Sequence, residues 1–138
     1  DHAESPYTSM AALKMARARV EANQPDLALR LYEFVVENGY PKALSVVARA
    51  RLARLLLDQG QPEQALQTLE AVQDISGFEA RYAEVRGDIL HAQGRRDEAV
   101  AAYLEALSVR EAGIGDRNKV VMKLQSLGAE IPEEVAES

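Results

Sequence analysis

Residues 84–100 read EVRGDILHAQGRRDEAV, and three features of that stretch compete to explain it. Arg86-Gly87-Asp88 is a tripeptide known as a cell-adhesion signal. His91 is the only histidine beyond the first two residues of the chain. Gly87 interrupts an otherwise helical pattern, where glycine costs about 1 kcal/mol relative to alanine. An adhesion motif, a metal site and a helix-packing requirement each demand different surroundings, so the neighbouring sequence decides between them.

Those surroundings repeat. RRDEAV (95–100) is a loose copy of QPEQAL (61–66), which itself copies QPDLAL (24–29). Gly60 and Gly94 stand 34 residues apart, as do Ala65 and Ala99; Pro25 and Pro62 stand 37 apart, the extra residues falling at Gly39-Tyr40-Pro41. Proline is tolerated in the first turn of a helix, where its missing N–H has no intrahelical partner. Within each copy the apolar residues keep helical spacing: Leu27, Ala28, Leu31, Phe34 and Val35; Ala65, Leu66, Leu69 and Val72; Ala99, Val100, Tyr103, Ala106 and Leu107. No segment alternates apolar and polar long enough for a half-buried strand.

A helix-turn-helix unit of this period resembles the tetratricopeptide repeat. The second unit carries Leu52-Ala53, Leu56, Gly60, Ala65 and Leu69 at the signature positions. The third carries Gly87, Leu90, Gly94, Ala99, Tyr103 and Ala106, and the first, looser, has Ala16, Asn23, Ala28 and Tyr32. Small residues let paired helices approach, and glycine or asparagine takes the left-handed turn that ends a helix. The expected fold is therefore all-α: a tetratricopeptide-like helical-hairpin solenoid of three helix-turn-helix repeats plus a C-terminal capping helix. Repeats are expected at about 6–39, 42–76 and 78–110, within a domain spanning 6–128. A capping helix is expected at 116–127, with Asp116 as its N-cap, Val120, Val121, Leu124 and Leu127 as its apolar stripe, and Lys119, Lys123 and Ser126 facing away. Residues 1–5 and the acidic tail 129–138 are expected to be disordered.

Composition narrows the function. The chain has 138 residues, the size of one domain, with 47% hydrophobic and 28% charged residues, as in folded soluble domains. With no cysteine there is no disulfide, thiolate site or thiol nucleophile. The net charge of −6 argues against nucleic acid, which is bound by basic side chains that displace counterions. No apolar run approaches the ~20 residues that span a bilayer. The chain offers no Gly-x-Ser-x-Gly, HExxH or phosphate-cradling glycine loop. No enzymatic activity, catalytic residue, cofactor or metal is expected.

The adhesion reading of Arg86-Gly87-Asp88 fails on position, because such motifs act at mobile loop tips and this one lies mid-helix. Gly87 aligns with Ala53 and Ala16, the small position where paired helices touch, so Gly87→Ala is expected to be tolerated and Gly87→Leu to overpack. His91 has no partner histidine at metal-ligand spacing, and tetrahedral sites need more ligands than Asp88 can supply. His2 lies at the chain start and carries no argument. The run Arg49, Arg51 and Arg54 reads as a solvated or salt-bridged face. What remains is a partner-binding groove along the first helix of each hairpin: Met10, Leu13, Arg17 and Val20; Val47, Ala50, Arg54 and Leu57; Arg81, Glu84, Asp88 and His91. Its mixture of apolar and charged groups suits an extended or helical peptide. Leu13 and Arg17 stand where the carboxylate-clamp subfamily would carry lysine and asparagine. Part of this face is also a natural seat for the capping helix or the tail.

Beyond the general repeat, the chain resembles the YfgM family. The resemblance lies in YTSMAALKMARARVEANQPDLAL, ARARLARLLLDQGQPEQALQTLEAV, AEVRGDILHAQGRRDEAVAAYLEAL and the closing VVMKLQSLG, covering Tyr7 to Gly128. It implies the periplasmic domain of a single-pass inner-membrane protein of Gram-negative bacteria, with Asp1 shortly after a membrane helix that this sequence lacks. It also implies an ancillary role at the Sec translocon alongside the periplasmic chaperone PpiD, acting on newly translocated proteins. A soluble tetratricopeptide adaptor in another envelope or cytosolic assembly complex is the competing expectation.

Overall fold

A computed structural model describes residues 5–72, 74–109 and 114–136, and every regular element among them is helical. The expectations for His2 and for the N-terminal residues 1–4 lie outside the described residues, as does the Asp116 side chain. Where the chain length suggested one body, the structure divides into two compact units, Asp1–Val72 and Gln73–Ser138.

The first unit contains α1 (Pro6–Glu21), α2 (Pro25–Asn38), α3 (Lys42–Asp58) and α4 (Pro62–Glu70). Each helix packs on the next, and α1 also touches α3. Pro25 and Pro62 open α2 and α4 as their sequence position requires. Ser5 caps α1 by accepting from the Tyr7 N–H. Alanines make close packing possible: Ala16, Ala28, Ala48, Ala53 and Ala65 are wholly buried, and Tyr32, Val35, Leu52 and Leu55 fill the volume between them. Ser9, also wholly buried, is satisfied because its Oγ accepts from the Tyr40 N–H at 3.0 Å.

The second unit contains α5 (Glu79–Ala92), α6 (Arg96–Ser108), α7 (Ile114–Ser126) and α8 (Glu133–Ala136). The α5–α6 hairpin is its centre, and α7 and α8 both pack on α6. Tyr82, Ile89, Tyr103, Leu107 and Leu124 are buried there. The tail was expected to be disordered from 129 onward; instead Glu133–Ala136 forms one helical turn. Arg117 supplies the physical reason, its guanidinium donating to Leu107 O at 2.6 Å and to Val135 O at 2.7 Å.

One turn recurs through both units. Asn23, Gly60, Gly94 and Gly128 all have positive φ, and in each case the following residue's N–H reaches back five residues: Gln24 to Arg19 O, Gln61 to Leu56 O, Arg95 to Leu90 O and Ala129 to Leu124 O. This is the hydrogen bond that satisfies an orphan carbonyl at a helix C-terminus, and it needs a left-handed residue to close. Gly128 lies the same 34 residues beyond Gly94 that separate Gly94 from Gly60. The turn after α7 is therefore the turn of a fourth repeat, so α7 is built as a hairpin's first helix as well as a cap.

Candidate partner-binding surface

The twelve groove positions fall into three environments. Met10, Arg17 and Val20 on α1 are exposed, Met10 with 51% of its surface open. Val47, Arg54 and Leu57 on α3 and Asp88 on α5 are half-buried, and Arg81 and His91 on α5 are exposed. Leu13, Ala50 and Glu84 are buried and offer no free surface, which corrects the expectation for those three. Leu13 belongs to the buried core cluster of the first unit with Ala28 and Tyr32, and Ala50 is only 4% exposed on α3. Helical spacing alone placed them at the edge of the stripe, where neighbouring helices close over them. Tyr7 on α1, outside the expected set, is 86% exposed and adds to the open apolar surface.

Arg49 belongs to the fold rather than the surface. Its Nη1 donates to Thr68 O at 3.1 Å, placing a cation on the last turn of α4, where the helix dipole favours one. Tyr32 of α2 is buried in the core cluster of the first unit. Burial pushes its phenol pKa up, while Arg51 and then Arg17 pull against that shift without cancelling it. The sign follows from the proton count. Above the ordinary tyrosine pKa near 10 the unfolded chain loses this proton and the folded chain keeps it, so stability holds below that pH and falls above it. Melting temperatures from pH 8 to 11 should therefore fall less steeply for Tyr32→Phe than for the parent chain; parallel curves would refute this.

In the second unit the expected groove residues Glu84 and Asp88 are already engaged. Lys123 of α7 places Nζ 2.8 Å from Glu84 Oε2 and 2.9 Å from Asp88 Oδ2. The Tyr103 hydroxyl of α6 donates to Asp88 Oδ1, and the Lys123 ammonium lies 5.9 Å from the Tyr103 ring centre, in cation–π range. Arg81 approaches the other Glu84 oxygen at 3.9 Å. Glu84 is only 4% exposed, and Lys123 and Arg81 are the cations placed against its two carboxylate oxygens among the described residues. Lys123 was expected to face away. It lies three residues from Val120 and four from Leu127, on the flank of the apolar stripe, and its long stem carries the ammonium round to α5. That flanking position was the available sequence signal.

The adhesion tripeptide is spent in the same hairpin. Arg86 pairs loosely with Glu105 at 3.9 Å, Asp88 is taken by Tyr103 and Lys123, and Gly87 lies against the Tyr103 ring. A Cβ at position 87 would come within 2.6 Å of Tyr103 Cε1. This overturns the expectation that alanine is tolerated there. Among the described residues no group of three or more His, Cys, Asp or Glu could hold a metal ion.

These helical hairpins, with their small-residue contacts and recurrent left-handed turns, define a tetratricopeptide-like helical domain. The tetratricopeptide repeat-like domain family matches residues 1–129, and the chain belongs to it. Two curated relatives carry the name ancillary SecYEG translocon subunit. The Neisseria gonorrhoeae protein is 29% identical over 119 residues, covering 86% of this chain and 56% of its own length. The Escherichia coli K12 protein is 27% identical over 100 residues, covering 72% of this chain and 48% of its own length. The chain thus spans about half the length of these relatives, and together with the domain match they support its placement in the YfgM family.

Proposed function

We propose that this chain is a non-enzymatic protein-interaction domain of an ancillary Sec translocon subunit. In this reading it is held at the inner membrane by a single upstream helix, faces the periplasm, and works with a PpiD-like chaperone on newly translocated proteins. The observation that carries the proposal is the likeness of 86% and 72% of the chain to two translocon subunits, on a fold that leaves the first-helix positions Met10, Arg17 and Val20 exposed. No helix among the described residues is long and apolar enough to cross a membrane, so an anchor would have to lie elsewhere in the protein.

Crosslinking the full-length protein in intact membranes, with partners identified by mass spectrometry, tests the proposal. Translocon subunits and a periplasmic chaperone are the expected partners. Recovery of cytosolic proteins alone would overturn it in favour of a soluble assembly adaptor. The upstream sequence supplies a second check: about 20 apolar residues flanked by Lys or Arg on the cytoplasmic side.

A further inference from the structure

Charge in the first unit is sorted by helix. On α1, Lys14, Arg17 and Arg19 outweigh Glu21; on α3, Lys42 and three arginines outweigh Asp58. The second helices have the opposite sign: α2 has Asp26, Glu33 and Glu37 against Arg30, and α4 has only Glu63 and Glu70. A protein of net charge −6 thus concentrates positive charge on the two helices that begin the hairpins of its first unit, and those two helices touch.

Part of this positive charge has no internal use. Arg49 is committed to Thr68 and Arg19 to Gln24, but Lys14, Arg17 and Arg51 are exposed and make no hydrogen bond or ion pair among the described residues. Arg17 on α1 and Arg51 on α3 are exposed on two helices that touch. Tyr7 and Met10 lie on the α1 face that carries Lys14 and Arg17, and both are exposed. The matching first helix of the second unit differs, because its carboxylates Glu84 and Asp88 are neutralised internally by Lys123.

We propose that the outer face of α1 and α3 docks an acidic peptide segment bearing an apolar anchor, with Arg17, Arg51 and Lys14 meeting its carboxylates and Tyr7 and Met10 its apolar side chains. This rests on the interaction-domain reading and names the partner's chemistry. Guanidinium forks match carboxylates in bidentate geometry, and complementary charge steers encounter and fixes register. A narrow peptide meets only this face. A broad anionic membrane would also meet repulsion from the carboxylates that α2 and α4 carry in the same unit.

The test is fluorescence anisotropy with the 138-residue chain and a labelled synthetic peptide in which Glu pairs flank Leu and Phe, against the same peptide with Gln for Glu. The acidic peptide should bind about tenfold tighter or more at low salt, and the difference should shrink as salt rises. Arg17→Glu with Arg51→Glu should weaken binding about tenfold, with Arg17→Gln and Arg51→Gln intermediate, while Lys119→Glu on α7 should change it less than about twofold. Equal affinity for both peptides, or an equal effect of Lys119→Glu, would overturn the proposal. So would binding seen only to phosphatidylglycerol vesicles, or concentration-dependent self-association abolished by the same arginine changes. If peptide binding fails while membrane crosslinking still recovers translocon subunits, this inference alone falls; if peptide binding holds and crosslinking fails, the translocon assignment falls.

Discussion

Gly87→Ala should destabilise the protein by about 1–2 kcal/mol, although alanine is the better helix former. Overpacking a filled contact costs about 1–3 kcal/mol, and the gain in helix propensity returns at most about 1. The overpacking dominates because the ring opposite cannot withdraw. Tyr103 is buried on α6 and its hydroxyl is tied to Asp88, so the 2.6 Å approach of a new Cβ cannot be relieved by a rotamer change without breaking that bond. Gly87→Leu should cost more than Gly87→Ala, with the folded protein recovered poorly or not at all. The decisive comparison is a double-mutant cycle. Tyr103→Leu removes the ring edge, so Gly87→Ala should cost about 1 kcal/mol less in that background than in the parent. A parent-background Gly87→Ala that melts at or above the wild-type temperature would show that α5 and α6 separate without penalty, and the packing account would fail.

What the sequence revealed divides along physical lines. Pro25, Pro62, Gly60 and Gly94 announced helix starts and turns because they act through their own backbone, and local rules govern them wherever they occur. The hairpin order followed from their spacing. Gly87 was recognisable as a close contact, but the size and rigidity of its partner were not, since Tyr103 is sixteen positions away. Leu13, Ala50 and Glu84 were misjudged for a related reason. A helical wheel gives a direction for each side chain but not the width of the neighbour that covers it. The turn at Gly128 repeats a signal already known from Gly94, whereas the helical turn of α8 depends on the Arg117 guanidinium reaching carbonyls at Leu107 and Val135. Long flexible cations reach partners that no period encodes.

The same property makes Lys123 the residue whose loss should be felt most widely in the second unit. It presents a full charge to both Glu84 and Asp88, two carboxylates withdrawn from water on one face of α5. Breaking a buried ion pair by removing one member costs about 3–5 kcal/mol, because the remaining charge stays desolvated. Here the Lys123 side chain is 32% exposed and Arg81 stands 3.9 Å from Glu84, so solvent and a second cation soften the loss to about 2–3 kcal/mol. Lys123→Met keeps the stem against Tyr103 and deletes only the ammonium, so the cost reports charge rather than packing. Amide exchange in α7 should accelerate, since Val120 and Leu124 would then hold that helix to α6 without its tie to α5. Adding Glu84→Gln to Lys123→Met should recover part of the stability by removing one of the stranded charges. A Lys123→Met protein with unchanged melting temperature and unchanged α7 exchange would mean that water already satisfies both carboxylates and that apolar packing alone holds α7 in place.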